Sequence, residues 1–152
     1  MRLLLAVAAL TLAAPSIAAA QTAEYPRRLP APGGEVIIPG PGGQRAHDEV
    51  GYAPARRAGD VLYVSGAIIG RAPGEGTDLA AFEVQTRRTL TALNRTLEAA
   101  GATFDDVALI NSFHVWEGPD FSGTRDQQIE VIAKVWNDTR ADAMLAYNPM
   151  SP

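Results

Sequence analysis

Few side chains in this 152-residue chain could carry chemistry. There are two histidines, His47 and His114, and no cysteine. Zinc sites draw three or four ligands from Cys, His and carboxylates, so no metal centre is expected. Thiol and disulfide chemistry are excluded outright. The serine that stands out is Ser65, in AGDVLYVSGAIIG at residues 58–70. A hydrolase nucleophile elbow needs glycine two residues before and two after the serine. Tyr63 and Ala67 hold those places, so Ser65 is not an elbow nucleophile. Two readings of Ser65-Gly66 stay open on spacing. The pair forms a β-bulge, or it ends a strand at a cleft, where a hydroxyl and bare backbone can meet a polar ligand. His114 alternates with apolar neighbours in DVALINSFHVW. It reads as a hydrogen-bonded core or interface histidine, and as the only imidazole on an ordered element. Asp105 and Asp106 are adjacent and would face opposite ways on a strand, so they read as turn and strand-start residues and not as a carboxylate pair. Arg87, Arg88 and Arg95 belong to the solvated side of a helix.

These residues must be positioned by a small set of elements. Residues 52–57 and 61–65 read as two strands joined at Gly59-Asp60, a hairpin. The loop 71–76 leads to a long helix. Asp78 is its N-cap, and Phe82, Thr86, Leu90, Leu93, Leu97 and Ala100 form its buried stripe. Gly101 is its left-handed stop. Residues 106–116 form a strand apolar on both faces, as in a sheet covered by helices. A second helix places Phe121, Arg125, Ile129, Ile132 (or Ala133) and Trp136 on one face. A strand–helix–strand order implies a right-handed crossover and a parallel pair. After Trp136 only residues 144–147 look strand-like.

Three regions follow. Residues 1–20 have the layout of a secretory signal peptide: Arg2, an apolar run over 3–14, Pro15, then Ala18-Ala19-Ala20. Residues 21–49, rich in proline and glycine, read as an arm laid over the domain or as disordered chain. Within it only 35–38 could be extended. Residues 50–152 are the folded domain, its last strands shortened or missing. The chain is expected to be exported, to the periplasm or outside, with no membrane association after cleavage. Its formal net charge is −4, and removing residues 1–20 takes away only Arg2, leaving −5. An acidic surface does not favour a nucleic-acid partner, because polyanion affinity comes from neutralised phosphates.

Taken together, AGDVLYVSGAIIG, a helix ending LEAAGATFDDV, and INSFHV resemble the reactive-intermediate deaminase family (RidA/YjgF-like). Residues 103–107 and 112–114 are most similar to its YjgH-like subgroup. The resemblance runs from about residue 51 to 135. It implies a chorismate-mutase-like α+β fold, a mixed sheet with two helices on one face, assembled as a homotrimer with small-molecule clefts between subunits. Ser65 and Gly66 would line that cleft, and Tyr52 falls where family members carry a tyrosine ahead of the first strand. His114 is a further binding candidate, and no catalytic residue is singled out. Active members hydrolyse 2-aminoacrylate-type enamines and imines to 2-oxo acids and ammonia, with no metal or organic cofactor. The family's carboxylate-binding arginine sits in a Pro-Ala-Arg segment, and a glutamate lies on the last strand. Here the corresponding place reads Asp138-Thr139-Arg140-Ala141-Asp142, with no match for that arginine. The YjgH-like subgroup also lacks it. Two functions are therefore expected: imine or enamine hydrolysis at an intersubunit cleft, or a non-catalytic trimer that binds a small metabolite.

Overall fold

The structure, a computed structural model, describes residues 24–139 and 144–149. The expected leader and Arg140 lie outside the described residues. The hairpin at Gly59-Asp60 forms as expected, with β3 at Ala55–Ala58 and β4 at Val61–Val64 in antiparallel register. Gly59 takes a φ of 57°, the left-handed turn conformation that suits glycine.

The proline- and glycine-rich stretch is not an appended arm. Arg27–Ala31 is strand β1 and Gly34–Ile38 is strand β2, and the antiparallel order β1-β2-β3-β4 makes them half of the main sheet. Pro30 is tolerated because β1 is an edge strand. Pro41–Val50 is helix α1, with Pro41 in its first turn and Gly51 closing it at φ 69°. The same residue types that suggest loop are here the start and stop signals of a short helix. Ile37 and Ile38 are both fully buried although they point to opposite faces of β2. Ile37 packs with Ala55, Ala99, Ala100, Leu62 and Val64. Gly34 lets β2 and β3 come together: a Cβ there would lie 2.0 Å from the Arg57 carbonyl oxygen.

Helix α2, Leu79–Ala99, begins where Asp78 Oδ1 accepts from the Ala81 amide at 2.9 Å. Gly101, at φ 73°, follows its end. Its last carbonyls are held by two arginines of the main sheet. Arg28 Nη2 donates to Ala99 O at 2.9 Å, and Arg57 Nη2 donates to Ala100 O at 2.7 Å. Cations at a helix C-terminus also complement the helix dipole. Phe82, Thr86, Leu97 and Ala100 are buried as the periodicity indicates, while Leu90 and Leu93 are half-buried.

Asp105 and Asp106 fall in a single 3₁₀ turn, Phe104–Asp106, where Asp106 and Thr103 cap each other. Strand β5 is Leu109–His114 and helix α3 is Arg125–Asn137. Strand β6, Met144–Pro149, pairs with β5 in parallel. The parallel pair expected across α2 is therefore not formed; the parallel crossover runs through α3 instead. Strands β4 and β5 are not paired with each other, so the two directions divide between a four-stranded antiparallel sheet and a parallel pair. Phe82, Phe121 and Ile132 form a second core cluster, with the Phe82 and Phe121 rings 5.0 Å apart. The buried stripe of α3 is Gln128, Ile132, Val135 and Trp136; Arg125 is exposed.

Candidate functional site

Because β4 and β5 do not pair, a cavity of about 1220 Å³ opens between them. Its floor is the apolar side of α2, with Leu90, Leu93 and Leu97, joined by Ile132 and Trp136 of α3. The strand end Ser65-Gly66 and the whole of β5 complete its wall.

Ser65 is fixed by two bonds to the chain before β3. Its amide donates to Pro54 O at 3.0 Å and its hydroxyl donates to Ala53 O at 2.5 Å. Tyr52 reaches the same place from the other side, its hydroxyl donating to Gly66 O at 2.7 Å. Gly66 has ordinary negative φ and open space where a Cβ would stand. Neither backbone conformation nor packing demands glycine there, so the effect of Gly66 is to leave the wall bare. Ser65, Gly66 and His114 all line the cavity, while Tyr52 sits behind Gly66 outside the lining. His47 lies on α1, its Nδ1 3.0 Å from Asp48 Oδ1, away from the cavity.

The chain after Gly66 is pinned over α2. Thr89 donates to Ile68 O at 3.1 Å, and Arg88 donates to Gly70 O at 2.7 Å while gripping the Glu75 carboxylate. The Arg88 guanidinium and the Ala72 amide hold the Glu75 carboxyl down at about 2. Arg71 pairs with Asp120 at 3.1 Å, joining this loop to the one after β5. Arg87 is paired with Glu83 and Asp138 at 2.6 Å each, a surface role as its spacing indicates.

His114 is buried and held at both ring nitrogens. Ser112 Oγ lies 2.9 Å from Nε2, and Gln128 Oε1 lies 3.2 Å from Nδ1. Burial pushes its pKa below the ordinary 6.5, and the charge of Arg125 acts the same way; the Gln128 contact opposes them. The ring is therefore neutral near pH 7. Sequence reasoning missed Ser112 and Gln128. Ser112 was legible, since residues two apart share a strand face. Gln128 was not, because a glutamine on a helix stripe carries no sign that it is buried. The indole N–H of Trp136 is buried without an acceptor among the described residues.

The electrostatics of the lining are lopsided. Among the described residues, Asp60, Asp106, Glu117 and Asp120 contribute carboxylates, and Arg57 is the sole arginine or lysine. Arg57 is already engaged with Ala100 O and, at 3.6 Å, with Glu35. No group of three or more potential metal ligands occurs among the described residues, and none of their helices is long and apolar enough to cross a membrane.

Residues 43–146 match the family model described as Endoribonuclease L-PSP. The chain belongs to that family, the RidA/YjgF-like proteins. The RutC family protein YjgH of Escherichia coli (strain K12) is 44% identical over 63 residues, covering 41% of this chain and 47% of that protein. The match thus spans about half the length of this curated relative. Among solved structures, a YjgF/YER057c/UK114 family member from Mycobacterium tuberculosis is 27% identical, with a TM-score of 0.47 over 71% of this chain and 79% of the other. A putative endoribonuclease from Thermotoga maritima is 25% identical, with a TM-score of 0.42 over 66% of this chain and 76% of the other. Family membership supports the α+β class of fold.

Proposed function

We propose that this is an exported Rid-family protein that hydrolyses small imines or enamines to carbonyl compounds and ammonia in the cavity between β4 and β5. The observation that carries the reading is the shared wall: Ser65 and Gly66 end their strand at the cavity that His114 also lines. An imine carbon is already electrophilic, so a positioned water and a few hydrogen bonds lower the barrier without a cofactor. Among the described residues the wall carries one engaged arginine and four carboxylates, of which Asp120 is paired with Arg71 and Asp106 caps Thr103; this balance favours a neutral or protonated imine over one bearing a carboxylate. A carboxylate substrate would lack the bidentate guanidinium that normally holds it. The family-model name points to RNA, but a net charge of −5 after leader removal argues against a polyanion.

The assembly proposed is a homotrimer. Its support is exposed apolar surface on the strands that flank the cavity: Val61, Tyr63, Leu109, Phe113 and Val115 are each about half exposed or more, and all but Tyr63 also line the cavity. A second copy of the same chain would cover them, and the mass of the mature protein in solution tests this directly. A monomer would remove the intersubunit element of the proposal.

A second reading has its own support. The hydroxyl protons of Ser65 and Tyr52 are both committed to backbone carbonyls. They can orient a ligand without transferring protons, as in a binding protein that does not turn over. The deciding experiment supplies the mature protein with imines formed in situ by an amine oxidase or an amino-acid oxidase, and follows ammonia. Release above buffer, faster for the carboxylate-free imine, is expected. No release, together with a ligand-dependent rise in Tm, would establish the binding protein instead.

A further inference from the structure

Ser112 and His114 stand on one face of β5, and Gln128 sets which ring nitrogen of His114 carries the proton. Gln128 Nε2 donates to the Val115 carbonyl at 3.0 Å, and a carbonyl can only accept. The amide is thereby oriented, and its Oε1 faces His114 Nδ1 at 3.2 Å. An oxygen there requires the proton on Nδ1. Nε2 is then an acceptor, and Ser112 Oγ lies 2.9 Å from it. The ring is buried and neutral, whereas Ser112 is only half-buried and lines the cavity.

We propose that Ser112 is an acylatable nucleophile, with His114 as its base and Gln128 as the positioning residue that sets the tautomer. A serine, a base within hydrogen-bond reach and a third group orienting the base are the parts that nucleophilic catalysis needs. The substrate class is an uncharged carboxylic ester with an apolar acyl group, which Leu90, Leu93 and Leu97 would receive. Ser112 Oγ bonds to the ester carbon as its proton passes to His114 Nε2. The C–O bond to the alcohol breaks, and the alcohol leaves with that proton. Water then gives a proton to Nε2 and attacks the acyl-serine, releasing the acid; Nε2 returns the proton to Ser112. Gln128 carries no charge and Arg125 opposes protonation of the ring, so turnover is slow compared with a carboxylate-assisted triad. The cavity is the one assigned to imines above, but this chemistry does not depend on that reading.

A fluorophosphonate probe applied to the full chain, followed by peptide mapping, should modify Ser112 and leave Ser65 untouched. Gln128→Glu should raise the labelling rate about tenfold, because a carboxylate stabilises the imidazolium as the neutral amide does not. Since the chain has no cysteine, Ser112→Cys introduces a single thiol. It should react with iodoacetamide about tenfold faster than Ser122→Cys, an exposed control, because a neighbouring base raises the thiolate fraction. Three results each overturn the proposal: no label on Ser112 in the native protein, label that persists in Ser112→Ala, or an S112C thiol no faster than the S122C control. The thiol comparison stands even where another substitution disturbs folding.

Discussion

Replacing Ile37 by alanine tests whether β1 and β2 are part of the domain or an ornament on it. Ile37 has no exposed surface and sits in β2, between β1 and β3. The change removes three carbons. At about 0.8 kcal/mol per buried methylene the lost transfer energy is about 2.4 kcal/mol. The neighbours that could close the void include Ala55, Ala99 and Ala100, whose side chains are too short to swing inward. Most of the cavity should therefore persist, bringing the total to about 3–4 kcal/mol, within the range of such truncations. Urea unfolding followed by tryptophan fluorescence reads this through Trp136, which lies at 3% exposure in the core. The midpoint should fall with little change in slope. Val84→Ala, at a side chain 58% exposed on α2, should stay within about 0.5 kcal/mol. A loss below about 1 kcal/mol for Ile37→Ala, or equal losses for both variants, would refute the placement of residues 27–38 in the core.

Two further expectations concern pH and backbone approach. The folded state keeps His114 neutral, while the unfolded chain takes up a proton near the ordinary value of 6.5. Stability should therefore fall as pH drops through 6.5, by at most about 1.4 kcal/mol per unit for one proton, and level off below the folded pKa. Tm measured from pH 7.5 to 5 should show this slope in the native protein and a flatter one in His114→Gln; parallel curves would contradict it. Gly34→Ala should cost about 1–3 kcal/mol by forcing β2 from β3, since its Cβ would collide with Arg57 O. An unchanged Tm would show that the strands have room.

What could be read in the sequence was what short-range rules govern. The Asp78 cap, the α2 stripe, the Gly101 stop and the β3–β4 turn all depend on residues within a few positions of one another. Residues 27–50 were misread for a physical reason. Pro30, Pro41 and Gly34 are breakers in general, yet each suits its place: an edge strand, a first helical turn and a close strand crossing. Their fit depends on β3 and on the C-terminal end of α2, which no local window contains. The site divides in the same way. Ser65 and Gly66 are visible because a hydroxyl and a glycine interrupt an apolar run. The partners of His114 become visible only when α3 folds against β5, since Gln128 is fourteen residues from it in sequence. Strand–helix–strand order implies that β4 pairs with β5 across α2; that pairing is not formed, and the gap it leaves is the cavity.

The charge of the cavity wall joins these observations to function. In a site built for carboxylate-bearing imines, a guanidinium must be both present and uncommitted. Arg57 is present but serves the C-terminus of α2, next to Ala100. Freeing it would uncover the Ala100 carbonyl at the end of α2, so stability opposes its recruitment. The two chemistries proposed for the cavity therefore share a preference for ligands without negative charge, but they depend on different atoms. Imine hydrolysis leans on Ser65 and Gly66 at the β4 end, and acyl transfer leans on Ser112 and His114 along β5. Ser65→Ala should weaken ammonia release and leave fluorophosphonate labelling intact, while Ser112→Ala should abolish labelling. Were both substitutions to remove both signals equally, the cavity would have to act as one indivisible site, and the separate assignment of its two walls would fail.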